Sequence, residues 1–333
     1  MPDVVAVGNV NIDVTARLPR WPGPDEKLVA SSARVDLGGA AANFAIACSR
    51  LGLSSGLVAV VGADPLGEMA LRALEAEGID VSHITRAPGT HTGVALILWA
   101  GQSRGIVSCR GANDLLAPEH LDEGYLASAR LVLGASIRLE VAEALASICA
   151  RHGVPLLLDP GGTLAEHRLE ELASVLPAAH VFSPNEVELV KITGRKDIRE
   201  ACEAIWATGV KLVVVKAGPR GCYIYDGHRL THVGALEPER VVDPTGAGDA
   251  FNAAFSFGLL MGLEPPDCAR LGVALATLKL GRPGASNMPG LAELVSFLSA
   301  VGWGDLAEAL SPRASTGGQG EGAEGWHRCS SAS

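Results

Sequence analysis

Short β-type apolar runs alternate along this chain with longer helical stretches, and that alternation constrains the fold more than any other property of it. Apolar runs at 4–8, 57–61, 131–133, 155–158, 181–182 and 211–215 each precede a stretch of helical period, at 40–51, 65–78, 139–152, 185–193, 198–208 and about 247–261. Strands joined by helices this long cannot be hairpin neighbours. They are expected to lie parallel, in a doubly wound α/β sheet covered by helices on both faces. Local signals mark several helix ends: Asp64-Pro65 supplies an N-cap and a first-turn proline, and Gly78 and Gly153 supply stops. Residues 9–13 read as a polar turn after the first strand, and Asp226-Gly227 as a two-residue hairpin turn. Two β-only patches, near 28–37 and 92–110, break the alternation and are expected to form a small separate sheet. Residues 311–333 are rich in Gly and Ser without periodicity and read as a disordered tail.

Composition excludes several functions. Hydrophobic residues make up 48% of 333, enough for a packed core and too many for a disordered chain. A net charge of −10 argues against coating nucleic acid or an anionic membrane, and no uncharged apolar run is long enough to span a bilayer. Seven scattered cysteines without a C-x-x-C pair point to a reduced chain in the cytoplasm, and the nine histidines form no zinc-binding set.

The chemistry concentrates in the string from Val241 to Asn252. Strand-like residues run through Asp243-Pro244-Thr245 into Gly246-Ala247-Gly248-Asp249, where a helix begins at once. Small residues let a ligand reach the main chain, and the unpaired N–H groups of a helix start attract an anion. Asp249 in that first turn suits a general base beside an anion hole, although a short Gly motif alone also fits an ordinary turn. A second segment, Gly38-Gly39-Ala40-Ala41-Ala42-Asn43, opens an Ala-rich helix; its glycines serve either close substrate approach or close packing.

Taken together, the two segments resemble both signatures of the ribokinase-like (PfkB) family of sugar and nucleoside kinases, over roughly residues 3 to 300. The resemblance implies one kinase domain over 1–310, with lid strands at about 14–37 and 91–110 covering the substrate. It implies ATP and Mg2+ as co-substrate and cofactor, a monovalent cation such as K+, and a sugar or nucleoside acceptor. It makes Asp249 the base and Gly246, Ala247 and Gly248 the anion hole. Asn11, Asp13, Gly39 and Asn43 match sugar-binding positions. Asn185 and Glu188 match an N-x-x-E motif acting on magnesium and phosphate through water, though a capped helix start reads the same way. Lys216, Gly218 and Gly221 match the nucleotide loop, and Asp243 and Thr245, with carbonyls of the loop from about Arg282 to Asn287, the monovalent-cation site. Ala40 and Ala41 stand where ribokinases usually carry a lysine, which puts strict ribose specificity in doubt. Arg104 and Arg110 are candidates for gripping a phosphorylated or acidic sugar, or are solvated lid residues. Exposed lid edges would suit pairing of two subunits.

Three other functions compete. Gly101-Gln102-Ser103-Arg104-Gly105 fits the hydrolase nucleophile elbow, but a strand follows where that motif needs a helix. Neither a dinucleotide-binding G-x-G-x-x-G after a strand nor a P-loop is present. A non-catalytic sugar-binding module would have no need of Asp249.

Overall fold

The computed structural model describes residues 1–316 apart from Gln102. Its body is built around β1 (Val4–Gly8), buried along its whole length. The chain passes through β2 (Asn11–Leu18) and β3 (Ser32–Gly38) before returning to the body at β4 (Ser55–Gly62) and β5 (Ile84–Ala87). It leaves again through β6 (Gly93–Ala100) and β7 (Ser103–Cys109). The rest of the body follows as β8 (Leu131–Ala135), β9 (Leu156–Asp159), β10 (Val181–Phe182), β11 (Leu212–Lys216), β12 (Cys222–Tyr225) and β13 (Leu230–Val233).

Nine strands form the main sheet in the order β13-β12-β11-β10-β9-β8-β1-β4-β5, parallel except where β12 and β13 are added antiparallel. Alternate residues of each buried strand face opposite layers, as the two-residue period requires. Val4, Ala6, Leu57, Leu131 and Leu133 pack with Phe251 and Phe255 and the helices Ala40–Arg50, Ala247–Leu260 and Pro265–Leu280. Val5, Val7, Val58, Val60 and Val132 pack on the other face, with Leu145 and Cys149 of the helix Leu139–His152. Strand order reverses at β1, which lies between β4 and β8. Ligands of open α/β sheets bind beyond the carboxyl ends of strands at such a reversal.

The lid is a four-stranded sheet of order β3-β2-β6-β7. The second half of the expected polar turn at 9–13 lies in β2, one of its two inner strands. The polar residues there alternate with Ile12 and Val14, and β2 pairs in parallel with β6, far away in sequence. Short β5, half exposed, had no recognisable signal. The expected two-residue turn is a four-residue loop, since Tyr225 pairs with Leu230. Asp226 accepts bonds from the N–H groups of His228 and Arg229, an Asx turn that spends the residues a tighter hairpin would place in strand. The last helix runs Gly304–Thr316, past the start of the expected tail, anchored by buried Leu306, Ala307 and Leu310. Residues 317–333 lie outside the described residues. No described helix is long and apolar enough to cross a membrane.

Candidate active site

The turn before the Ala247–Leu260 helix sits at the floor of the cleft under the lid. Gly246 is its N-cap with φ 83°, and a Cβ there would stand 2.3 Å from the carbonyl oxygen of Ala285. Only glycine meets both conditions without displacing backbone. Among the described residues the N–H groups of Gly246 and Gly248 have no acceptor, whereas that of Ala247 turns back to Pro244 O at 3.3 Å. Asp249 follows, and its Oδ2 accepts a 2.7 Å bond from Nδ2 of Asn43. Burial, with the charge of Asp159, pushes its carboxyl up to about 6 against the opposing pull of the Asn43 bond, Lys216 and Lys279.

Asn43 is carried there by the Ala40–Arg50 helix. Gly39 caps that helix at φ 99°, where a Cβ would meet Asn9 O at 2.5 Å. Asn9, which sequence reasoning passed over, adds a side-chain cap to the N–H of Ala40 at 2.9 Å. Oδ1 of Asn43 is buried with no partner among the described residues. An unsatisfied buried acceptor costs free energy until a donor arrives.

Asp13 reaches the same cleft from β2 and is 4% exposed. Burial, then the charges of Asp36, Asp243 and Asp249, push it up to about 7, with Arg34 opposing. Gly38 leaves room for it, since a Cβ would fall 2.2 Å from its Oδ1. Asn11, at the start of β2, has a protein partner. Its Oδ1 accepts from Nδ2 of Asn113 at 2.8 Å, while Oδ1 of Asn113 accepts from the N–H of Val10. Asn11 therefore ties the lid to the body through Asn113.

On the opposite flank Lys216 ends β11 and forms an ion pair with Asp159 at the end of β9. Burial would lower its pKa, but Asp159 and Glu188 outweigh that, so it stays an ammonium. It lies beside the anion hole, 3.9 Å from where a Gly248 Cβ would be. Nδ2 of Asn252 donates to Asp159 at 2.6 Å, and Ser183 donates to Asn252 at 2.7 Å. Asp159 and Asn252 went unassigned in the sequence, although the end of a parallel strand was the available signal for Asp159.

Asn185 and Glu188 form a capping box, each side chain accepting the other's N–H, at 2.9 and 2.8 Å. The pair is thus a helix cap, and burial with the charge of Asp159 raises the Glu188 carboxyl above its ordinary value. Gly218 has φ 54° and open space on its Cβ side, which leaves its backbone approachable. Gly221 has φ 88°, and a Cβ would strike Val233 O at 2.0 Å, so its glycine serves the turn.

The two lid arginines have protein partners. Arg104 donates to Oγ1 of Thr245 at 3.0 Å and lies over Trp99. Arg110 pairs with Asp114 and donates to Oγ1 of Thr163 at 3.0 Å. Arg34, also on the lid, stands 3.6 Å from Asp243. The side chain of Asp243 accepts from the N–H groups of Thr245 at 3.0 Å and Gly284 at 3.1 Å. A cavity of about 280 Å³ under the lid is lined by Thr15, Arg17, Arg34, Trp99 and Asp243 among others.

This geometry has close relatives. A sugar kinase of Archaeoglobus fulgidus is 32% identical over 252 residues, covering 71% of this chain and 95% of its own. A cytidine kinase of Thermococcus kodakarensis is 31% identical, covering 83% of this chain and 95% of its own. The structure of Arabidopsis thaliana ribokinase complexed with ribose and ATP superposes with a TM-score of 0.81 at 27% identity, over 89% of this chain and 98% of that one. The family model for pfkB carbohydrate kinases matches residues 1–291, lid and anion-hole turn included, and the chain belongs to that family.

Proposed function

We propose that this carbohydrate kinase transfers the terminal phosphoryl group of ATP to a primary hydroxymethyl group of a neutral sugar. The observation that carries the reading is the Asn43–Asp249 pair beside the acceptor-free N–H groups of Gly246 and Gly248. The substrate hydroxyl donates to Asp249, which takes its proton as the oxygen attacks phosphorus and the bond to the ADP oxygen breaks. The helix-start N–H groups stabilise charge on the transferred group, and Lys216 neutralises phosphate from the side. Asn43 holds the base in place and offers its unpaired Oδ1 to a second hydroxyl. The lid contacts Arg104–Thr245 and Arg34–Asp243 close the cleft against water.

Magnesium fits the flank near Lys216. No described set of three or more His, Cys, Asp or Glu could cage a metal, but Glu188 faces Asp159 closely enough for their charges to interact. One or two carboxylates plus water and phosphate is the usual magnesium environment, and Glu188 would hold the ion through water. When bound, the ion supplies charge neutralisation of the phosphates.

A neutral acceptor is favoured because four carboxylates, Asp13, Asp36, Asp243 and Asp249, interact electrostatically around the sugar end. Both arginines proposed for an anionic sugar are engaged by the protein itself. We further propose a cytoplasmic enzyme, which its unpaired described cysteines suit, and a homodimer formed through the lid.

The test is ADP release with ATP and magnesium over ribose, deoxyribose, fructose, fructose 6-phosphate, a keto-deoxy sugar acid and cytidine. A neutral sugar should give the highest kcat/KM. Preference for cytidine makes the protein a nucleoside kinase. A sugar-induced rise in melting temperature without ADP release makes it a binding module.

A further inference from the structure

Lys279, next to the end of the Pro265–Leu280 helix, has no exposed surface. Nothing in the phosphoryl transfer described above uses it. An ammonium leaves water only where acceptors and counter-charges replace its hydration. Here its Nζ donates to the main-chain oxygen of Arg282 at 3.3 Å and to that of Asp243 at 3.5 Å. The carboxylates of Asp243 and Asp249 lie close enough to supply counter-charge.

Those acceptors belong to the segment where the family resemblance implies a monovalent cation, formed by Asp243, Thr245 and carbonyls of the 282–287 loop. The residues present do not fit that ion. Two of the main-chain oxygens already bind Lys279. Each carboxylate oxygen of Asp243 already accepts one N–H, from Thr245 and from Gly284, and Oγ1 of Thr245 accepts from Arg104. The same two loops set the anion hole, because Gly246 packs directly against the Ala285 carbonyl.

We propose that Lys279 is a tethered cation standing in for a dissociable monovalent ion. It clasps the 243–246 turn to the 282–285 loop, so the enzyme works without potassium. Lys279 is a positioning residue: it acts through the turn, and its charge is covalently supplied.

The experiment compares the parent protein with Lys279→Ala and Lys279→Met in chloride salts of potassium, ammonium and tetramethylammonium at equal ionic strength. Melting temperature and kcat are both read. The parent should show the same melting temperature and kcat in all three. Lys279→Ala should lose about tenfold or more in kcat in tetramethylammonium, the scale of a misplaced oxyanion donor. Potassium or ammonium should then recover kcat and raise its melting temperature, since an ion bound only by the folded state stabilises it. Lys279→Met, neutral but still filling the space, should gain nothing from either ion. A parent protein activated or stabilised severalfold by potassium overturns the proposal. So does a cooperatively melting Lys279→Ala variant that responds to no cation, or one that keeps parent kcat in tetramethylammonium. The activity readout rests on the kinase reading, but the melting readout does not. Absence of ADP release by the parent would sink that reading alone.

Discussion

Two aspartates a few side chains apart are tuned for different work. Asp249, raised to about 6 mainly by burial, is still mostly ionised at neutral pH and can accept a proton from an alcohol. Below about pH 6 it is protonated, so kcat/KM should fall about tenfold for each further pH unit. In Asp249→Asn that acidic limb should vanish, with turnover down at least about a hundredfold and sugar binding retained. Steady-state kinetics with a sugar-induced melting shift checks both. Asp13, raised to about 7 by burial and three neighbouring carboxylates, is a stability liability. The folded state binds its proton more tightly than the unfolded chain, whose value is near 3.8. Stability linked to this residue is therefore greatest below about pH 4 and is lost as pH rises through about 7. Asp13→Asn removes that dependence. It should gain on the order of 1–3 kcal/mol at pH 8, seen as a higher melting temperature, while weakening the sugar. An equal melting temperature for parent and variant at pH 8 would refute the assignment.

At the scale of elements, the helix starts around the candidate site were largely legible. Gly246, Asn185 and Asp64 were readable because a cap is a local arrangement set by neighbouring residues. The positive φ at Gly246 and its contact with Ala285 carry a prediction. Gly246→Ala should lower kcat about tenfold or more and cost about 1–3 kcal/mol of stability, measured by turnover and chemical denaturation. An unchanged kcat would separate the turn from catalysis. Strands were less legible. β2 was read in part as a turn, because Asn9, Asn11 and Asp13 break its apolar pattern. What makes it a strand is pairing with β3 and β6, the latter encoded far along the chain. The outcome at Asn11 has the same origin, since Asn113 is brought to it only by the fold.

For the whole molecule, the lid sheet has two unlike faces. One carries Asp13, Arg34, Trp99 and Arg104 toward the cleft. On the other, register aligns Val35, Val14, Leu96 and Val107 in a row across all four strands. Val35 and Val107 are more than half exposed. The homodimer proposed through the lid would have this apolar outer face, as well as the lid edges, to bury. Light scattering after size exclusion should show a dimer for the parent and a monomer for Val35→Asp combined with Val107→Asp. A parent that is monomeric at micromolar concentration would rule the contact out.

Sequence alone determined what depends on neighbours along the chain: the parallel α/β body, the small-residue turn at 246–248 that starts a helix, Asp249 in its first turn and the glycine that turn needs. Tertiary structure decided what depends on neighbours in space. It put Asn43 on Asp249, Asp159 with Asn252 on Lys216, and Lys279 among the carbonyls where an ion was expected. It also turned Arg104 to Thr245 and Arg110 to Asp114. The reason is physical. Backbone conformation follows from local sterics and hydrogen bonding, whereas the charge state and partner of a buried side chain follow from the field of whatever the fold packs around it.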